Sequence, residues 1–174
     1  MSQRMLASGN EAIAMAAFDC GVHLGVGYPG TPSSEILENF SAIGGSAEWA
    51  PNEKCALEVG IGVAFANGRS LVTMKHVGVN VAADPLFTIA YSGTPGGLVL
   101  VSADDPGMAS SQNEQDNRRY ETDKCKRLGY FDSCAAYHQR ITSESLNDES
   151  SKAITSHIYK RKLSFEFLVL SVYK

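Results

Sequence analysis

No Cys-x-x-Cys pair occurs in this 174-residue chain, and its four cysteines, Cys20, Cys55, Cys125 and Cys134, are scattered. That spacing excludes the common zinc and iron–sulfur ligand sets and reads as free thiols in a reducing cytoplasm. No apolar run approaches the ~18 residues a membrane helix needs, and Met1–Arg4 leads into no long apolar stretch, which argues against a secretory signal. A positive balance is missing too: the net charge is −4, so a nucleic-acid surface is not expected. There is no internal repeat. The second part of the chain is nearly without punctuation, since fifteen of sixteen glycines and all six prolines precede position 120. Charge divides at the same place. Six basic residues face twelve acidic ones up to Arg119, a net of −6; nine face seven beyond it, a net of +2.

Hydrophobic residues make up 44% of the chain and charged residues 20%, enough for one domain with a real core. Ser8 and Glu11 form a Ser-x-x-Glu capping box ahead of an alanine-rich helix over Ala12–Cys20, with Gly21 as its stop. Val22–Val26 reads as a buried strand, followed by the turn Gly27-Tyr28-Pro29-Gly30. Thr31 suits an N-cap with Pro32 at the first helical position, for a helix reaching Phe40. Ala47–Ala50 is a short strand. Asn52 caps a helix over Glu53–Asn67 that closes at Gly68. Ser70–Lys75 is a β-rich strand, Asn80–Tyr91 is helical with a boundary or kink at Asp84-Pro85, and Gly97–Ala103 is another strand. Helices alternating with buried strands imply an α/β fold with a mostly parallel sheet flanked by helices.

Ligands of such sheets collect beyond the carboxyl ends of the strands. The post-strand segments are Gly27–Ser34, Pro51–Lys54, Lys75–Asn80 and Asp104–Asn113, and they hold most of the unusual polar residues. Thr31, Glu53, His76 and Gln112 should therefore share one edge. In the first segment, Gly25, Gly27 and Gly30 match Gly-x-Gly-x-x-Gly, with Glu48 about 20 residues on, as in a dinucleotide site. Pro29 and Pro32 remove backbone donors where a pyrophosphate needs them. The same turn also reads as a nest for one carboxylate, built from Thr31, Ser33 and Ser34 at a positive helix end, or as plain helix capping. Glu53 reads either as dipole compensation in a first turn or as a functional acid. His76 reads as a structural histidine or a site residue, and Asp104-Asp105-Pro106-Gly107 as a turn or a cation site. Ser110–Gln115 reads as a solvated loop or as part of the site.

Taken in order, Gly27-Tyr28-Pro29-Gly30-Thr31-Pro32-Ser33-Ser34, Asn52-Glu53-Lys54, Thr73-Met74-Lys75-His76-Val77-Gly78, Ala103-Asp104-Asp105-Pro106-Gly107-Met108 and Ser110-Ser111-Gln112-Asn113-Glu114-Gln115-Asp116 resemble the N-terminal domain of indolepyruvate:ferredoxin oxidoreductase α subunits. The resemblance spans roughly residues 6 to 119. It implies a thiamine diphosphate pyrimidine-binding domain over 1–119. Glu53 would hydrogen-bond N1′ of the aminopyrimidine and so assist loss of the thiazolium C2 proton, and Thr31 would hold the substrate carboxylate. It further implies substrate-side places for Gly30, His76, Gln112 and Asn113, and cofactor-side places for Pro29, Lys75 and Asn80, with no metal ligand in this chain.

The same resemblance implies a cytoplasmic, oligomeric enzyme that oxidatively decarboxylates a 2-oxo acid such as indolepyruvate, with coenzyme A and ferredoxin. The family's diphosphate- and Mg²⁺-binding domain, with its Gly-Asp-Gly start, has no counterpart here, and neither do its iron–sulfur ligands. The chain would hold the pyrimidine-side half of one site, completed by the missing domain and a second subunit. From Tyr120 to Lys174 the likeness ends. That stretch reads as a divergent, truncated or frame-shifted tail in which Phe165–Tyr173 has the pattern of a strand. A nucleotide-binding module built on the glycine turn, and a non-catalytic remnant, are the competing expectations.

Overall fold

A computed structural model describes residues 6–104, 115, 117 and 167–173. Its first helix, α1 (Gly9–Asp19), opens with the expected capping box: Ser8 Oγ accepts from the Glu11 N–H at 3.2 Å, and the Glu11 carboxylate accepts from the Ser8 N–H at 2.6 Å. Three helices close by one motif, in which a left-handed residue lets two N–H groups turn back onto the last carbonyls. Gly21 does this for α1, Gly44 for α2 (Ser34–Ala42) and Asn67 for α3 (Glu53–Phe65). At α3 the left-handed residue is Asn67, with Gly68 donating to the Val63 carbonyl, so the helix stops two residues short of the expected end.

The strands are β1 (Leu24–Gly27), β2 (Ala47–Trp49), β3 (Arg69–Lys75), β4 (Gly97–Asp104) and β5 (Phe167–Tyr173). They form one sheet in the order β2-β1-β3-β4-β5, every neighbouring pair parallel. The α/β expectation holds. β5 comes from the stretch beyond Tyr120 and pairs along the outer side of β4, from Leu98↔Phe167 to Asp104↔Tyr173.

Residues alternate between the faces of the sheet. On one face Leu71 and Val101 pack with Ile13, Ala17, Ile36, Leu37 and Phe40 of α1 and α2. On the other, Val26, Val72, Met74, Leu98 and Leu100 pack with Ala56, Leu57, Ile61 and Ala64 of α3 and Leu86 and Ile89 of α5. With both faces covered, central strands carry near-continuous apolar runs. The expected helix over Asn80–Tyr91 is two pieces, α4 (Gly78–Val81) and α5 (Ala83–Ser92). The break falls at Ala82, which leaves Pro85 in the first turn of α5, where its missing N–H costs nothing.

The start of α2 departs from the sequence reading. Thr31 and Pro32, joined by a cis peptide, are not its cap and first residue; Ser33 is the N-cap, with no side-chain capping bond. A hydrogen-bonded turn on Gly30 wins instead. Ser33 Oγ donates to the Gly30 carbonyl at 2.6 Å, the Ser34 N–H donates to the same oxygen at 3.1 Å, and the Gly30 N–H donates to Ser34 Oγ at 2.8 Å.

Candidate functional site

Because every strand is parallel, the segments after β1, β2, β3 and β4 emerge at one edge. Thr31, Glu53 and His76 follow β1, β2 and β3 and share that edge, as expected. Gln112 and Asn113 lie outside the described residues.

After β1, Pro29 and Thr31 are exposed while Ser33 is fully buried. The turn is tied to α1 through Asn10, whose Nδ2 donates to the Pro32 carbonyl at 3.1 Å and to the Glu35 carboxylate at 2.7 Å. The carboxylate nest imagined from Thr31, Ser33 and Ser34 is thereby narrowed. The two serine hydroxyls and the Ser34 N–H are engaged with Gly30, and Thr31 is the residue that presents its side chain to solvent. Gly30 itself lies against Lys75, since a methyl on it would come 3.1 Å from Lys75 Cβ.

After β2, Asn52 Oδ1 accepts from the Cys55 N–H at 2.9 Å and sets Glu53 as the first residue of α3. Lys54 turns away. Its amine lies 2.8 Å from Asp84 and 3.9 Å from Glu58, and the hydrogen bond it donates to Asp84 leads in holding it above the usual lysine range. Glu53, half-buried, takes no hydrogen bond or ion pair among the described residues. It rests on Gly78, where a methyl would approach its Cγ to 2.6 Å, Oε1 to 2.7 Å and Cδ to 2.9 Å.

After β3, His76 is fully buried. Its N–H donates to the Ala103 carbonyl at 3.1 Å, and Nδ1 is 3.3 Å from the same oxygen. The His76 carbonyl accepts from Gln115 Nε2 at 3.0 Å and Asn117 Nδ2 at 3.1 Å. Exposed Asn80 pairs with Gln115 in both directions, at 2.8 and 3.2 Å. Asp104, at the end of β4, is no open cation ligand. Buried completely, it accepts from Ser102 Oγ at 2.7 Å, the Asn117 N–H at 2.9 Å and Asn117 Nδ2 at 3.2 Å.

Three contacts thus draw the edge together: Gly30 on Lys75, Glu53 on Gly78, and Asn80 with Gln115. Sequence reasoning did not single out Asn10, Gln115 or Asn117 as anchors. The polarity of Ser110–Gln115 hinted at Gln115 alone.

The glycine fingerprint has a packing explanation. Gly25 and Gly27 lie within β1, and methyl groups there would meet Leu37 at 2.8 Å in both cases, with Phe40 at 3.1 Å from the first and Thr73 Oγ1 at 2.6 Å from the second. They let α2 approach the sheet, whereas a phosphate loop needs its glycines in the turn. Glu48 is exposed on β2.

No family model matches the chain. It is similar to indolepyruvate oxidoreductase subunit IorA of Archaeoglobus fulgidus, 53% identical over 126 residues, which cover 68% of this chain and 20% of that protein. It is also similar to the subunit of the same name from Methanothermobacter marburgensis, 51% identical over 121 residues, or 67% and 20% of the two chains. Ketoisovalerate oxidoreductase subunit VorB of Methanothermobacter thermautotrophicus is 28% identical over 63% of this chain and 32% of its own. Among solved structures, a 2-oxoglutarate:ferredoxin oxidoreductase from Magnetococcus marinus overlays with a TM-score of 0.69 at 20% identity, over 97% of this chain and 29% of its own. A thiamin diphosphate-dependent enzyme from Mycobacterium smegmatis gives 0.67 at 18%, over 97% and 31%. These overlays show a shared fold. The chain spans about a fifth of the length of the IorA subunits it matches. Over the two thirds of its own length that those alignments cover, it belongs to the family of indolepyruvate oxidoreductase IorA subunits.

Proposed function

We propose that this chain supplies the pyrimidine-side half of a thiamine diphosphate site in an enzyme that oxidatively decarboxylates 2-oxo acids, with indolepyruvate or another arylpyruvate as substrate. The observation that carries the proposal is the Glu53 carboxylate. It stands at the strand-end edge with no partner among the described residues, seated against a glycine at which a methyl group would collide with it. A ring nitrogen placed beside it gains a charge-assisted hydrogen bond. Thiamine diphosphate, when bound, would supply a carbon acid at thiazolium C2 suited to attack on a 2-oxo carbon. Glu53 holds the proton at N1′, and Pro29, Lys75 and Asn80 flank the cofactor. Thr31, with Gly30 and with Gln112 and Asn113, faces the substrate carboxylate. His76, being buried, contributes by holding the backbone of that edge.

Magnesium, the diphosphate and the iron–sulfur clusters belong to domains beyond this chain, as do the sites for coenzyme A and ferredoxin. The reading therefore includes a second polypeptide or domain and a cytoplasmic, oligomeric complex without nucleic acid or membrane. No helix among the described residues is long and apolar enough to cross a membrane. The isolated 174-residue chain should give no turnover of indolepyruvate with coenzyme A and a viologen acceptor. Turnover by the chain alone would refute the half-site assignment.

Thr31 offers a finer test, made in a complete enzyme carrying this segment. Thr31→Val should raise KM for the 2-oxo acid with little change in kcat. Since Thr31 is exposed and caps no helix, the unfolding free energy should change by less than about 0.5 kcal/mol. A capping threonine would cost about 1 kcal/mol. An unchanged KM would remove Thr31 from the substrate side.

A further inference from the structure

The catalytic carboxylate must be held at one place, yet nothing among the described residues hydrogen-bonds it. It lies against Gly78. A methyl group built there would lie 2.6–2.9 Å from Cγ, Oε1 and Cδ of Glu53, and no other atom comes as near. Those atoms belong to a flexible side chain and not to backbone, so a methyl at 78 can be accommodated by turning Glu53 aside. Gly78 is itself fixed. It opens α4 (Gly78–Val81), directly after a segment whose His76 carbonyl is held by Gln115 and Asn117. Asn117 is locked to buried Asp104 and Ser102, and Asn80, two residues past Gly78, is paired with Gln115. The bare backbone at 78 is thus a rigid seat, anchored from β4, on which the Glu53 side chain lies.

We infer that Gly78 is a positioning residue: its missing side chain sets where the Glu53 carboxylate points. The inference rests on the functional reading of Glu53 but can be tested apart from it. In the full 174-residue chain labelled with ¹³C-glutamate, the Glu53 carboxyl resonance is the one lost in Glu53→Gln. Gly78→Ala should shift that resonance and leave those of Glu35 and Glu58 in place. Gly62→Ala, which puts a methyl into open space, should shift none of the three. An unmoved Glu53 resonance in Gly78→Ala would overturn the inference.

If Gly78→Ala does not fold, Glu53→Ala combined with Gly78→Ala should restore folding, because the clash is with the Glu53 side chain. Failure of that rescue would equally overturn it. In a complete enzyme carrying this segment, Gly78→Ala should slow C2–H exchange of bound thiamine diphosphate by about 100-fold, the cost of misplacing a reacting group by ~1 Å. Adding it to Glu53→Gln should cost little more, whereas a purely structural defect would add in full. If Glu53→Gln leaves exchange unchanged while the resonance still moves in Gly78→Ala, the seat stands and the cofactor role of Glu53 falls.

Discussion

Glu53→Gln in a complete enzyme carrying this segment should slow C2–H exchange of bound thiamine diphosphate by about 100- to 10,000-fold, the range for losing a proton-handling group. The substitution keeps the shape of the side chain, its place at the head of α3 and its rest on Gly78. What it removes is the charge that favours a proton on the neighbouring ring nitrogen. Affinity for the cofactor should fall much less, because in the proposed half-site the diphosphate and its metal would be held outside this chain and would carry most of the binding. An exchange rate equal to that of the unsubstituted enzyme would return Glu53 to the bland role of an acid compensating a helix dipole, worth only about 0.3–1 kcal/mol of stability.

The largest loss of stability should follow Phe40→Ala, at about 3–5 kcal/mol. Phe40 is completely buried and meets the ring of Phe18 edge-on, with centroids 6.5 Å apart. Its ring fills the space that Gly25 of β1 and Gly45 leave open, since a methyl at either position would come within 3.1 Å of it. Removing it takes away the largest of the three buried side chains of α2, beside Ile36 and Leu37, and α2 is the helix that carries the Gly30–Ser33 turn at its head. The folded state of an ordinary domain exceeds the unfolded by only about 5–15 kcal/mol, so the midpoint of urea unfolding should drop sharply. A midpoint within experimental error of the parent would mean that α2 is held elsewhere.

Much of this architecture could be read from local signals. The box at Ser8 and Glu11, the stop at Gly21 and the cap at Asn52 are each decided within a few residues, and the structure has all three. The place of Glu53 at the head of α3 is set as locally, by the Asn52 cap, but local signals left open whether it compensates a helix dipole or serves a site, and only the resemblance pointed to the second. What could not be read depends on competition or on distance. Thr31 has the chemistry of an N-cap, but Ser33 and Ser34 bind Gly30 first and move the helix start to Ser34. The Asn10 contact with Pro32, the seat at Gly78 and the Asn117 contacts with His76 and Asp104 join segments far apart in the chain; Asn117 and His76 are separated by 41 residues. No periodicity encodes such meetings. The glycines at 25 and 27 misled in the other direction. Their spacing imitates a phosphate loop, while their use is to admit Leu37 and Phe40.

The order of the strands also sorts the edge by how readily each part opens. Amides leave protected states by local unfolding, and short edge segments open at far lower free energy than central ones. β3 lies at the centre with paired neighbours on both sides, so Lys75 and His76 hang from the slowest-opening part of the molecule. β2 is three residues long and, among the described residues, paired on one side only, and fraying there would release any group that depended on it. Glu53 does not. It belongs to α3, whose next turn plants Ala56 and Leu57 in the core with no exposure at all, so opening of the edge strand should leave the backbone that carries the carboxylate in place.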